Sequence, residues 1–173
     1  MASGGLPLEC ACSVPTCYTP EDRGMEDDNA RTIKRLAGVW RLLVSEFRTS
    51  NGDVIYPLGE DALGQAIFTE SGYMSGQLMR QNRPLFASAN QAAGTDEEVR
   101  AALEGYIAYY GPCEVDAGNK TLTTVVEGSL FPNWVGGTQL RYYELSATQL
   151  ILKTPPISYG DMEITGVLTW ERR

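Results

Sequence analysis

From about residue 30 onward the chain alternates apolar and polar positions with a period of two, in short runs separated by turn-forming residues. The runs predict strands over Val39 to Thr49, Val54 to Tyr56, Gly64 to Thr69, Tyr73 to Met79, Tyr106 to Val115, Thr121 to Ser129, Thr138 to Leu145, Gln149 to Thr154 and Glu163 to Glu171. Their connectors carry matching chemistry. Asn51-Gly52 is the pair that tolerates positive φ in a two-residue hairpin turn, and Glu70-Ser71-Gly72 and Asp116-Ala117-Gly118-Asn119 are similar breaks. Two segments depart from this rhythm. Asp28-Asn29 can cap a short helix over Ala30 to Leu36 that presents Ile33 and Leu36 to a core and stops before Gly38. Thr95-Asp96-Glu97-Glu98, after a loop-like stretch from Pro84 to Gly94, starts a second helix that should reach about Glu104. About eight or nine strands with short links predict an all-β fold, a closed antiparallel up-and-down barrel that removes its own edges. The second helix and the loop before it would cover one end as a lid.

Residues 1–28 show no such pattern. Pro7, Pro15 and Pro20, an acidic run at Glu26-Asp27-Asp28, and Cys10, Cys12 and Cys17 read as a polar tail, which leaves 29–173 as the barrel domain. Three cysteines in that tail and a fourth at Cys113 lack the paired spacing of a zinc site, so no metal is expected.

Composition narrows the chemistry. The chain has 173 residues and not one histidine, which excludes Ser-His-Asp and Cys-His nucleophile systems and imidazole general bases. With 22 acidic against 14 basic residues, the net charge of -8 opposes a phosphate backbone or an anionic membrane surface, so neither nucleic acid nor membrane is an expected partner. No run reaches the roughly 20 apolar residues of a membrane span, and Met1 to Pro7 has neither a basic start nor an apolar stretch of signal type. The expected location is cytoplasmic. No dinucleotide-binding, Walker or kinase pattern occurs, so no cofactor is expected.

Four blocks carry a resemblance to a known family. The first is Gly38-Val39-Trp40 on the first long strand, behind a short helix. The second is Gly72-Tyr73-Met74-Ser75-Gly76-Gln77-Leu78-Met79-Arg80 with Arg83-Pro84 and Phe86-Ala87-Ser88. Gly105-Tyr106-Ile107-Ala108-Tyr109-Tyr110-Gly111 is the third. The fourth is Val126-Glu127-Gly128-Ser129-Leu130-Phe131-Pro132-Asn133-Trp134-Val135-Gly136, with Gln139, Arg141 and Thr154-Pro155-Pro156. Together they resemble the lipocalin-like domain family of bacteria and fungi, calycin-type small barrels, over about Ile33 to Arg173. The resemblance implies a closed barrel with an internal pocket and an inward Trp40, with Leu42, Val44 and Glu46 on the same face. Relatives often carry histidine where this chain has Thr124-Val125. Arg172, near Trp170, is expected to stack on Trp40 and close the barrel floor.

Strand parity leaves the pocket lining open. Thr123, Val125 and Glu127 share one side of their strand and Leu122, Thr124 and Val126 the other; Gln139, Arg141 and Tyr143 oppose Leu140, Tyr142 and Glu144. Neither side of either strand is plainly polar. Glu127 and Arg141 are the candidate catalytic pair, since neighbouring antiparallel strands could set them face to face, and an inward guanidinium would hold a substrate carbonyl or enolate. The alternative is a cross-strand salt bridge on the surface. Candidate substrate contacts are Glu46, Met79, Tyr106, Tyr109, Phe131, Asn133, Trp134 and Tyr143, against core or rim packing for each aromatic. Three functions remain. One is a cofactor-independent enzyme of specialised metabolism that folds an apolar polyketide or terpenoid and promotes cyclisation, isomerisation or elimination, as pericyclase-like proteins do. The others are a carrier of a small apolar molecule and a structural or protein-binding barrel, with homo-oligomerisation open in each case.

Overall fold

The computed structural model describes residues 20–159 and 161–173. The expected metal-free reading of Cys10, Cys12 and Cys17 falls outside the described residues. The first helix, α1, runs over Pro20–Leu36 rather than starting at Ala30. Proline is well tolerated in a first helical turn, Asp28 and Arg31 pair one turn apart at 2.6 Å, and Lys34 and Arg35 sit favourably in the last turn. Helical propensity along this polar segment thus extends the element back across part of the expected tail.

The strands are β1 (Gly38–Thr49), β2 (Val54–Ile55), β3 (Leu63–Phe68), β4 (Tyr73–Met79), β5 (Tyr106–Asp116), β6 (Thr121–Val125), β7 (Gly128–Ser129), β8 (Thr138–Leu145), β9 (Gln149–Lys153), β10 (Ile157–Tyr159) and β11 (Met162–Arg172). The second helix, α2, spans Asp96–Glu104. The sheet order β11-β9-β8-β6-β5-β4-β3-β1 returns from β1 to β11, so eight antiparallel strands close a barrel as expected. The run Thr121 to Ser129, expected as one strand, is broken after Val125. Gly111 lies opposite the break, and a Cβ there would come within 1.9 Å of the Val125 carbonyl oxygen. Only glycine permits that approach, and it lets Val126 turn away to pair with Gly137 while Glu127 N–H donates to the Tyr110 carbonyl.

One end of the barrel is a solid floor. Leu36 at the end of α1 packs with Trp40, Trp170, Leu150 and Leu122, of which Trp40 and Leu150 are 0% exposed and Trp170 1%. Trp40 Nε1 donates to the Leu36 carbonyl at 2.8 Å. The Arg172 guanidinium lies 4.1 Å from the Trp40 ring centroid, as expected, and donates to the backbone carbonyls of Ala37, Ala147 and Arg35. Gly38, at φ +131°, leaves room for this plate, because a Cβ would stand 2.9 Å from Arg172 Nη1.

The opposite end is closed differently. The connector between β2 and β3 buries Leu58 and Ala62 in the core, and the carbonyl of Pro57 accepts from Arg80 Nη2 at 3.1 Å. The helix α2 begins with a full capping box, Thr95 with Glu98, and Glu98 also accepts from the Ala87 N–H at 2.7 Å. These bonds hold the Glu98 carboxyl below its ordinary pKa and tie the loop to the helix. None of the residues of α2 is buried, so the expected lid is a strap against the rim at β5 rather than a plug.

Candidate ligand-binding site

The register decides which side chains face the barrel interior. On β8, Gln139 pairs with Thr124 and Arg141 with Leu122, and both partners are buried inward residues of β6. Gln139, Arg141 and Tyr143 therefore line the interior, as do Ile107, Tyr109, Gly111 and Cys113 on β5. Several of these upper residues keep part of their surface accessible: Arg141, Gln139, Ile107 and Trp134 are only half-buried, whereas the floor residues are sealed. An inward side chain that still touches solvent borders open space. The upper half of the barrel is thus the recess.

Arg141 is the strongest group in it. Nη1 donates to the Leu140 carbonyl at 2.7 Å and Nη2 to Gln139 Oε1 at 3.0 Å, both neutral acceptors. Its Nε is buried without any partner. Tyr109 is its neighbour from β5; burial raises the phenol's pKa, while the charge of Arg141 and a hydrogen bond to it pull the other way. Tyr109 stays protonated and supplies a donor. Cys113, also buried, has its thiol raised by burial and partly offset by a hydrogen bond with Thr124. Over Tyr109, the turn Pro132–Trp134 folds Trp134 edge-on at 5.7 Å between ring centroids, and Phe131 stacks edge-on against Trp134 at 5.8 Å. This aromatic run forms one wall of the mouth.

The sequence-predicted residues divide among three places. Arg141, Tyr109, Tyr143 and Trp134 are brought together on the inner side, with Tyr143 low in the core; Phe131 and Asn133 are exposed on the rim. The remaining four lie outside the recess. Glu127 is exposed on the outer wall, where its Oε1 accepts from the Tyr73 hydroxyl at 3.4 Å. It does not face Arg141, because β6 and β8 put the two on opposite sides of the sheet, and the expected Glu127–Arg141 pair is not formed. Met79 and Tyr106 are paired across β4 and β5 on the outer face; with Leu63, Gln65 and Gln77 they line a shallow groove of about 220 Å³, and Arg83 covers the Tyr106 ring at 5.0 Å.

Glu46 was expected beside Trp40 and is also displaced. The register of β1 against β11 slips between Leu42 and Val44, so Leu42 opposes Trp170 while Ser45 opposes Leu168 and Phe47 opposes Gly166. That bulge inverts the parity of everything after it. Ser45 and Phe47 point inward, and Glu46 points outward into an ion pair with Arg48 at 2.6 Å. Sequence reasoning did not select Gln139 or Thr124 as contacts, although both share a strand face with a residue it discussed. It also missed Leu58, whose only signal was a lone leucine between Pro57 and Gly59 in a turn.

A second concavity lies outside the barrel between α1 and the outer ends of β8 and β9, a cleft of about 870 Å³ bordered by Arg31, Arg35, Lys120, Tyr142 and Lys153. Its Arg31 and Lys153 are neutralised by Asp28 and Glu144, each at 2.6 Å. It is a solvated, charge-balanced surface.

Among solved structures, a lipocalin-like protein from Bacteroides uniformis ATCC 8492 aligns over 76% of this chain and 96% of its own, at 13% identity and a TM-score of 0.39. A curated relative from Aspergillus oryzae (strain ATCC 42149 / RIB 40), named a 4'-hydroxy-3'-methoxypropiophenone carrier protein, is 35% identical over 106 residues, which are 57% of this chain and 96% of the relative. The family description "lipocalin-like domain" matches residues 37–173, the whole of the barrel from the start of β1. The chain belongs to the lipocalin-like domain family.

Proposed function

We propose that this protein binds a small, mostly apolar aromatic ketone of specialised metabolism in the upper half of its barrel and releases it unchanged, as a carrier. The observation that carries the reading is Arg141, a cationic donor on the inner wall with a free Nε, set among Tyr109, Gln139 and Trp134. A carbonyl or hydroxyl oxygen would take that donor, and the aromatic and aliphatic wall would take the rest of the molecule. The relative's name, a carrier of a phenyl ketone, fits the same division between one polar end and an apolar body. Mass spectrometry of the natively purified protein should find a retained neutral or acidic aromatic of low mass, and titration calorimetry with 4'-hydroxy-3'-methoxypropiophenone should give a saturable 1:1 isotherm. No binding of that ketone, with no retained molecule, would sink the reading.

A second reading follows from the same two donors. Arg141 and Tyr109 would polarise a carbonyl as charge develops on it, and the recess would restrict a flexible polyketide or terpenoid to a reactive fold, promoting cyclisation or isomerisation without a cofactor. Incubation of such a linear precursor with wild type and with Arg141→Met decides it: faster product formation with wild type alone supports catalysis, and equal rates leave only the carrier.

A further inference from the structure

The interior of the recess is rich in donors and poor in negative charge. Arg141 takes part in none of the four ion pairs among the described residues. Its two satisfied nitrogens meet neutral oxygens, and its third meets nothing. The other buried polar atom without a partner is the indole N–H of Trp170, again a donor. The titratable groups facing Arg141 from its own and adjacent strands are Tyr109 and Cys113 on β5 and Tyr143 on β8, all protonated when neutral; none is a carboxylate. The nearby acids are turned away. Glu46 is engaged with Arg48, Glu144 with Lys153, and Glu127 stands on the outer wall.

A desolvated guanidinium without a counter-ion is expensive, and it favours whichever partner brings a full negative charge. Building on the binding reading, we infer that the ligand is held as an oxyanion: a phenol or enol conjugated to a ketone binds as its phenolate or enolate, with the charged oxygen against Arg141. The chemistry balances simply. The ligand O–H bond breaks, its proton passes to the buffer, the electron pair stays on oxygen, and Arg141 remains protonated throughout. A ligand of equal shape whose hydroxyl is capped by a methyl group gains nothing from the cation.

The test compares 4'-hydroxy-3'-methoxypropiophenone with its methyl ether, 3',4'-dimethoxypropiophenone, across pH 5.5 to 9.5. Ligand absorption reads the ionisation state, because a conjugated phenolate absorbs at longer wavelength than the phenol. With wild type, the bound phenol should show the phenolate band at a pH where the free ligand does not. It should release close to one proton on binding, and bind at least about tenfold more tightly than the ether, about 1.4 kcal/mol. Arg141→Gln should abolish the band and that advantage while leaving ether affinity within about twofold. A neutral bound spectrum with equal affinities for the two ligands overturns the charge inference and leaves binding intact. Absence of binding by both ligands overturns the binding reading and this inference with it.

Discussion

Each end of the barrel is governed by an arginine, and the two are used in opposite ways. Arg172 lies across Trp40 with its nitrogens donating to the carbonyls of Ala37, Ala147 and Arg35. These acceptors belong to three separate pieces of chain: the end of α1, its junction with β1, and the turn between β8 and β9. One side chain therefore ties them into a plate. Arg141 donates only to the carbonyl of its sequence neighbour and to a side chain two residues away, and keeps Nε free. It joins nothing distant. An arginine whose donors are saturated by long-range backbone is part of the scaffold, while one left short of acceptors inside a partly open recess is positioned for a ligand.

The largest effect that tests this contrast is at the floor. Trp40→Ala removes a fully buried ring, the Leu36 hydrogen bond and the platform for Arg172, and should cost about 3–5 kcal/mol. Urea unfolding should show this as a lower midpoint at unchanged slope. A loss under about 1 kcal/mol would mean that the floor is not where the stability resides.

A matched pair of substitutions sharpens the comparison. Arg172→Met keeps most of the apolar stem but deletes a stacked cation, worth about 0.5–2 kcal/mol, and leaves backbone carbonyls short of a donor, for a total loss of about 2–4 kcal/mol. Arg141→Met removes a cation that has no counter-ion, so stability should stay within about 1 kcal/mol of wild type or rise. Opposite signs, or at least a clear gap, between the two urea midpoints are expected. Equal losses would make Arg141 a scaffold residue and withdraw it from the site.

How much of this was legible in the sequence depends on locality. The strands, the closed barrel and the Arg172–Trp40 plate followed from alternation, turn residues and the four blocks that resemble the family, because each is encoded within a few neighbouring positions. The direction of individual side chains was not. Glu46 was assigned to the face of Trp40 by counting in twos, and one extra residue between Leu42 and Val44 reversed it. No local signal marks that bulge, which exists only as a register against β11. Glu127 failed for a related reason. Its strand stops at Val125 since the glycine that permits the break, Gly111, lies on β5, 14 or more residues earlier in the chain. Arg141 was named for its type and its block; its unpaired nitrogen could be seen only once the neighbours were in place.

Alkaline pH offers a milder probe of the upper half. Tyr109 and Cys113 both have pKa values raised by burial above their ordinary 10.0 and 9.0. The unfolded chain therefore releases these protons at lower pH than the folded chain does. Their contribution to stability is fully present below about pH 9 and is lost as pH rises toward the folded values. Stability measured by urea should fall above pH 9, and the fall should begin later in Cys113→Val. Absorbance titration of the folded protein should find one tyrosine that resists ionisation, and Tyr109→Phe should remove it. An unchanged tyrosine count in that variant would place the resistant phenol elsewhere.

The smallest expected effect concerns the outer wall. Glu127 is exposed, its single recorded side-chain hydrogen bond is a long one from Tyr73, and the barrel wall separates it from Arg141. Glu127→Gln keeps its size and its acceptor oxygen, so stability should shift by no more than about 0.5 kcal/mol, and ligand affinity should match wild type at every pH. The through-wall electrostatic influence of one solvated carboxylate is weakened by water on its own side, and salt should erase what remains. If instead Glu127→Gln altered affinity as Arg141→Gln does, and did so at high salt, the two residues would act as a pair after all. The recess would then have to open between β5, β7 and the turn carrying Trp134, the one stretch of wall where the ladder is already broken.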